Sequence, residues 1–186
     1  MSNYKDIFLN VKHISFDLDN TLYDESIYFK SAIDDISKFL ESHEQINKKK
    51  IELFLWSTLR TNGLHYHHLF DDLLEQFKLD SNYFLKIMEI FKSTTPALDF
   101  FKGTPEMLKK LKKSFGLSII TSGQKENQEN KIKLLNAKKY FDLIIFSSTL
   151  KEDKPSSIPF QHLLNLTKLE SQDIIYVGDN PMMDFK

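Results

Sequence analysis

At 186 residues, with 41% hydrophobic and 27% charged residues, the chain has the composition of a globular domain and not of a disordered segment. Its 25 basic and 26 acidic residues leave a formal net charge of −1, which gives no pull toward nucleic acid or anionic lipid, and the absence of Cys excludes disulfides, thiolate metal sites and a Cys nucleophile. The stretch Met1–Lys12 lacks a signal-peptide core and no apolar run approaches the ~20 residues that span a bilayer, so the reading is a soluble cytoplasmic protein that binds neither nucleic acid nor membrane, with its oligomeric state open.

In chain order, Val11–Phe16 predicts a first strand, which ends in Asp17-Leu18-Asp19. Roughly 80 residues separate it from the next core element, too long for a structureless loop. They read as helices over Ser26–Glu41, Lys48–Arg60, His67–Phe77 and Ser81–Lys92, with Ile33, Ile36, Phe39 and Leu40 at amphipathic spacing. Thr104-Pro105-Glu106 opens a further helix to Lys113, with Thr104 as its cap. Met107, Leu108 and Leu111 are expected to face inward there, with Lys109, Lys110, Lys112 and Lys113 in solvent. Strands at Leu117–Ile120, Leu143–Phe146 and Ile174–Val177 alternate with helices at Lys125–Asn136 and Ser157–Leu166. These strands are short, β-branched and apolar without alternation, as strands buried on both faces are. The expected fold is α/β, a Rossmann-like parallel sheet of residues 1–21 and 98–186 carrying an inserted helical-bundle cap over 22–97.

Three of the polar clusters directly follow a predicted strand, and a parallel sheet gathers all its carboxyl ends on one edge. Asp17-Leu18-Asp19-Asn20-Thr21 offers two carboxylates at i and i+2: one can attack phosphorus and the other can donate a proton to the leaving oxygen. Thr121-Ser122-Gly123 offers hydroxyls and backbone for phosphate oxygens. Lys154-Pro155 offers an ammonium, and Gly178-Asp179-Asn180 with Asp184 offers hard oxygen donors of the kind Mg²⁺ prefers. Each cluster alone also suits an ordinary turn; the ordered set does not. His65-Tyr66-His67-His68 and Lys48-Lys49-Lys50 read as solvated helix surface.

This ordered set resembles the haloacid dehalogenase superfamily over nearly the whole chain. Phe16-Asp17-Leu18-Asp19-Asn20-Thr21-Leu22 looks like its first motif, Thr121 its second, Lys154 its third, and Gly178-Asp179 with Asp184 its fourth. The third motif departs from the usual Lys-Pro-x-Pro, its second proline standing at Pro159. The resemblance implies Asp17 as nucleophile and metal ligand, and Asp19 as general acid and base that binds metal through its carbonyl. It implies Thr21 as a loop support, Thr121, Ser122 and Lys154 as phosphate holders, Asp179 as a Mg²⁺ ligand, and Asp184 as support behind it or Lys154. An acid at Asp19 matches the phosphatase branch, because halide leaves without a proton. The expectation is a Mg²⁺-dependent phosphatase acting through an aspartyl-phosphate on a small phosphorylated metabolite, a sugar phosphate or nucleoside monophosphate. A phosphomutase or other phosphotransferase, and an inactive truncated domain, are the alternatives. Relatives continue past the point that Lys186 occupies here, so the carboxyl-terminal edge of the core is expected to be truncated. The insert is expected to set specificity, with Tyr23, Tyr28, Arg60 and His65 as candidate contacts.

Overall fold

The computed structural model describes residues 10–185. Most of the amino-terminal stretch Met1–Lys12 therefore lies outside the described residues. The chain divides into two compact units, one formed by residues up to Glu25 together with Ala97 onward, the other by Ser26–Pro96.

The larger unit is built on four parallel strands: β1 (His13–Phe16), β2 (Gly116–Thr121), β3 (Leu143–Phe146) and β4 (Ile174–Val177), in the order β3-β2-β1-β4. β1 is central and wholly buried, which explains its lack of alternation. Its ladder begins at His13 and not Val11. Main-chain bonds nevertheless reach one residue further, from Lys12 N to the Asp173 carbonyl and from Gly116 N to the Lys12 carbonyl. In register, Phe16 lies beside Ile119 of β2 and Val177 of β4. Asp17, Ile120 and Gly178 therefore stand level at one edge. Because β2 and β3 lie on one side of β1 and β4 on the other, that edge is the point where strand order reverses and loops diverge to leave a crevice.

Helix α5 (Thr104–Leu111) precedes β2, α6 (Lys125–Leu134) joins β2 to β3, α7 (Ile158–Thr167) joins β3 to β4, and a single turn, α8 (Pro181–Asp184), follows β4. Ile120, Ile145 and Leu163 centre one core cluster of this unit. Two details differ from expectation. Gly103, at φ 87°, occupies the position preceding α5, and Thr104 is its first helical residue. Leu108 is buried, whereas Met107 is exposed.

The smaller unit has four helices, α1 (Ser26–Glu44), α2 (Lys48–Asn62), α3 (Leu69–Phe77) and α4 (Tyr83–Ser93). Their apolar faces meet at Ile33, Ile36, Leu40, Ile51, Leu55, Leu73 and Ile87, all essentially inaccessible to solvent. α4 starts two residues later than Ser81 because the Asp80 carboxylate accepts from Asn82 N at 2.8 Å, an Asx turn that keeps these residues out of the helix. Tyr28 is buried here, its hydroxyl donating to the carbonyls of Phe91 (2.9 Å) and Lys92 (3.2 Å). His65, His67 and His68 are exposed. No described helix is long and apolar enough to cross a membrane.

One polar pair lies deep in the sheet. His13 Nε2 hydrogen-bonds Ser118 Oγ at 2.9 Å across β1 and β2. Burial holds the His13 pKa below its ordinary 6.5, against a weaker opposite pull from Asp142. The unfolded chain therefore binds a proton at this residue more readily than the folded one, and His13 removes stability as pH falls below about 6.5. A His13→Gln variant keeps a hydrogen-bonding side chain and does not titrate. Its Tm should gain on that of the parent as pH is lowered from about 7.5 to 5; a Tm difference that stays constant over this range contradicts the assignment.

Candidate active site

The β1 carboxyl edge is acidic, and two buried ammonium groups from different elements meet it. Asp17 is the first residue past β1, its N–H donating to the Val177 carbonyl at 2.8 Å. Its Oδ1 accepts from Lys154 Nζ at 2.6 Å. Lys154 also donates to Asp184 Oδ1 at 2.8 Å and lies 3.1 Å from the Tyr176 hydroxyl. All but Tyr176 were legible from sequence; Tyr176 reads there as an ordinary strand residue. Gly178 makes room for this group, since a Cβ at that position would stand 2.3 Å from Asp184 Oδ2.

Asp19 is held by a second set that the sequence reading missed. Lys131 Nζ donates to its Oδ1 at 2.8 Å, the Tyr23 hydroxyl donates to the same oxygen at 2.5 Å, and Gln128 Nε2 donates to Oδ2 at 2.7 Å. Lys131 is also paired with Glu25 Oε1 at 3.0 Å. Asn20 shapes the intervening loop. It adopts a left-handed φ of 55°, and its Oδ1 accepts from Glu25 N at 3.1 Å. Asn favours both features. Tyr23 is thus a buried partner of Asp19. Thr21, the expected loop support, has a buried Oγ1 that makes no hydrogen bond among the described residues.

The end of β2 and the loop after it are tied down differently at their two hydroxyls, Thr121 and Ser122. Gln128 Nε2 donates to Thr121 Oγ1, which leaves the Thr121 hydroxyl proton available. Ser122 Oγ donates to Asp153 Oδ1 at 2.8 Å, so its proton is committed. Asp153 Oδ1 also accepts from Lys154 N at 2.7 Å, joining the Thr121-Ser122 loop to the Lys154 loop.

The two carboxyls are driven in opposite directions. Burial pushes Asp17 up to about 7, overcoming the Lys154 ammonium. Burial also opposes ionisation of Asp19, but there the Lys131 ammonium and the Tyr23 and Gln128 hydrogen bonds prevail and hold it below its usual value. Burial disfavours the Lys131 and Lys154 ammoniums as well, yet their carboxylate partners raise both. Asp179 lies exposed beyond β4. Among the described residues no three acidic or His side chains stand close enough to hold a metal between them. The donors singled out by sequence need only two side chains, Asp17 and Asp179, with the Asp19 carbonyl as the third oxygen. An all-oxygen set of this kind fits Mg²⁺.

Residues 14–186 match the family model described as haloacid dehalogenase-like hydrolase. The N-acylneuraminate-9-phosphatase of Rattus norvegicus is 26% identical over 95% of this chain and 77% of its own length. The glyceraldehyde 3-phosphate phosphatase of Methanocaldococcus jannaschii is 27% identical over 95% of this chain and 79% of its own. The crystal structure of a HAD phosphatase from Thermococcus onnurineus shares the fold, with a TM-score of 0.66 at 23% identity over 94% of this chain and 80% of that one.

The tight approach at Gly178 makes a direct test. Gly178→Ala should force Asp184 off Lys154 and destabilise the fold by about 1–3 kcal/mol, as overpacked sites do. Urea unfolding of the two proteins measures this, and an unchanged midpoint would show that the site tolerates a methyl there.

Proposed function

The chain belongs to the haloacid dehalogenase-like hydrolase family, and we propose that it is a Mg²⁺-dependent phosphatase that hydrolyses a small phosphomonoester through an aspartyl-phosphate on Asp17. The observation that carries this reading is the pairing of Asp17 with a buried Lys154 at the strand edge, with a second carboxylate, Asp19, two residues on. A halide-releasing site has no use for that second group, whereas an ester oxygen leaves far more readily with a proton.

In the proposed reaction a carboxylate oxygen of Asp17 attacks phosphorus. The bond from phosphorus to the ester oxygen breaks, its electron pair stays with that oxygen, and the Asp19 carboxyl supplies the proton. Asp19 rests as a carboxylate and takes up one proton from solvent as substrate binds, because like charges disfavour a second anion beside the arriving phosphate. In the second half, water attacks phosphorus while Asp19 takes its proton, and the Asp17–phosphorus bond breaks to release inorganic phosphate. The Lys154 ammonium, held by Asp184 and Tyr176, offsets charge between carboxylate and phosphate. The Thr121 hydroxyl donates to a phosphate oxygen, with the loop at Ser122 held by Asp153. Mg²⁺ held by the Asp17 carboxylate, the Asp19 carbonyl and the Asp179 carboxylate would supply further positive charge opposite the phosphate.

The substrate class we favour is a sugar or sugar-acid phosphate. Its support is the similarity to phosphatases of N-acylneuraminate 9-phosphate and glyceraldehyde 3-phosphate, at 26% and 27% identity. The helical unit Ser26–Pro96 is the proposed specificity cap.

Phosphate release from an aryl phosphate tests the reading. The parent should turn over with Mg²⁺ and stop with a chelator, and Asp17→Asn should lose about 10⁴-fold or more, because an amide cannot form the phospho-enzyme. Turnover of Asp17→Asn within about tenfold of the parent would remove Asp17 from the chemistry.

A further inference from the structure

Helix α6 follows the Thr121-Ser122-Gly123 loop, and its sequence KENQENKIKL is almost wholly polar. Polar helices usually face water, yet Gln128 is 1% exposed and Lys131 2% exposed. Three residues apart, they share a helix face, and both reach Asp19. An ammonium buried this fully requires carboxylate partners, and Lys131 is paired with Asp19 Oδ1 at 2.8 Å and Glu25 Oε1 at 3.0 Å. Glu25 is the last residue of the sheet-bearing unit before the helical unit begins.

The donors are distributed unequally over the two Asp19 oxygens. A carboxylate has about four lone-pair sites, two on each oxygen. On Oδ1 both are taken, by Lys131 Nζ and the Tyr23 hydroxyl. On Oδ2 one is taken, by Gln128 Nε2. The same Gln128 amide touches Thr121 Oγ1, so its own orientation is fixed.

We propose that Lys131 and Gln128 are positioning residues for phosphoryl transfer, which turn the Asp19 carboxyl so that the remaining lone pair of Oδ2 carries the proton to and from the reacting oxygens. This rests on the phosphatase reading and assigns the proton-carrying atom within it. Without the clamp the carboxyl rotates, Oδ1 and Oδ2 exchange, and the alignment that makes proton transfer efficient is lost. Lys131 acts through Asp19, whereas Gln128 acts through Asp19 and also holds Thr121 Oγ1, so the effect on leaving-group dependence is read most cleanly at Lys131.

The consequence is a dependence on leaving group. An alkoxide leaves poorly without a proton, whereas p-nitrophenolate needs little help. The experiment is single-turnover release of the leaving group, enzyme in excess and Mg²⁺ present, from glycerol 2-phosphate and from p-nitrophenyl phosphate. Lys131→Met should slow the alkyl substrate at least about tenfold more than the aryl one. Gln128→Leu, which changes no charge, should shift the ratio in the same direction. If Lys131→Met does not fold, Glu25→Gln/Lys131→Met, which removes one buried carboxylate with the cation, and Gln128→Leu decide the matter. Equal losses on both substrates in the folded variants overturn the positioning role and leave the phosphatase reading intact. A parent that releases neither leaving group overturns that reading, and the positioning role with it.

Discussion

Two buried ammonium–carboxylate pairs hold the strand edge together: Lys154 on Asp17 at 2.6 Å and Lys131 on Asp19 at 2.8 Å. Ions removed from water to this degree lose several kcal/mol of hydration each, and only close, hydrogen-bonded partners offset that. The pairing therefore dictates the placement of whole elements. The loop after β3 must bring Lys154 to Asp17, and α6 must bring Lys131 to Asp19. Asp153, which binds both Ser122 Oγ and Lys154 N, fixes the first of these loops. Asn20 and Glu25 fix the turn that faces the second.

The same pairs leave the edge short of positive charge. Among the described residues Asp17 and Asp184 share the Lys154 ammonium, and Asp19 and Glu25 share that of Lys131, so each buried cation serves two carboxylates. The protein's own response is visible at Asp17, whose carboxyl burial pushes up to about 7 while Lys131 keeps Asp19 ionised. On the proposed reading, a divalent cation at Asp17 favours its ionised form, which is the form a nucleophile requires. Carboxylates two residues apart thus acquire distinct roles from their surroundings, the general means by which paired acids divide their work.

Much of this was legible in the chain. The strands at Leu143–Phe146 and Ile174–Val177 fall where their β-branched apolar runs put them. Asp17, Thr121, Lys154 and Asp184 could be selected because each follows or closely trails a strand, and a parallel sheet leaves little choice about where such residues meet. What escaped was the polar interior. Lys131 and Gln128 sit in a segment whose composition predicts solvent, since burial of a charge is decided by a partner 112 residues away in sequence and not by local pattern. The available signal was a Gln and a Lys three apart in the helix that follows the Thr-Ser-Gly turn at the sheet edge. Tyr23 was expected as a candidate specificity contact, and its hydroxyl donates to Asp19. Helix ends failed for local reasons: α6 stops at Leu134 because Asn136 takes a left-handed φ of 48°, which no helix continues through.

The proposed reaction requires that Asp17 becomes phosphorylated. Enzyme turning over a phosphomonoester with Mg²⁺ can be quenched in acid, reduced with borohydride and digested for mass spectrometry. Reduction converts an aspartyl-phosphate to homoserine. Homoserine is predicted at position 17 and at no other Asp, dependent on substrate. Steady phosphate release with Asp17 unmodified, or with the label on another residue, would contradict the proposed reaction.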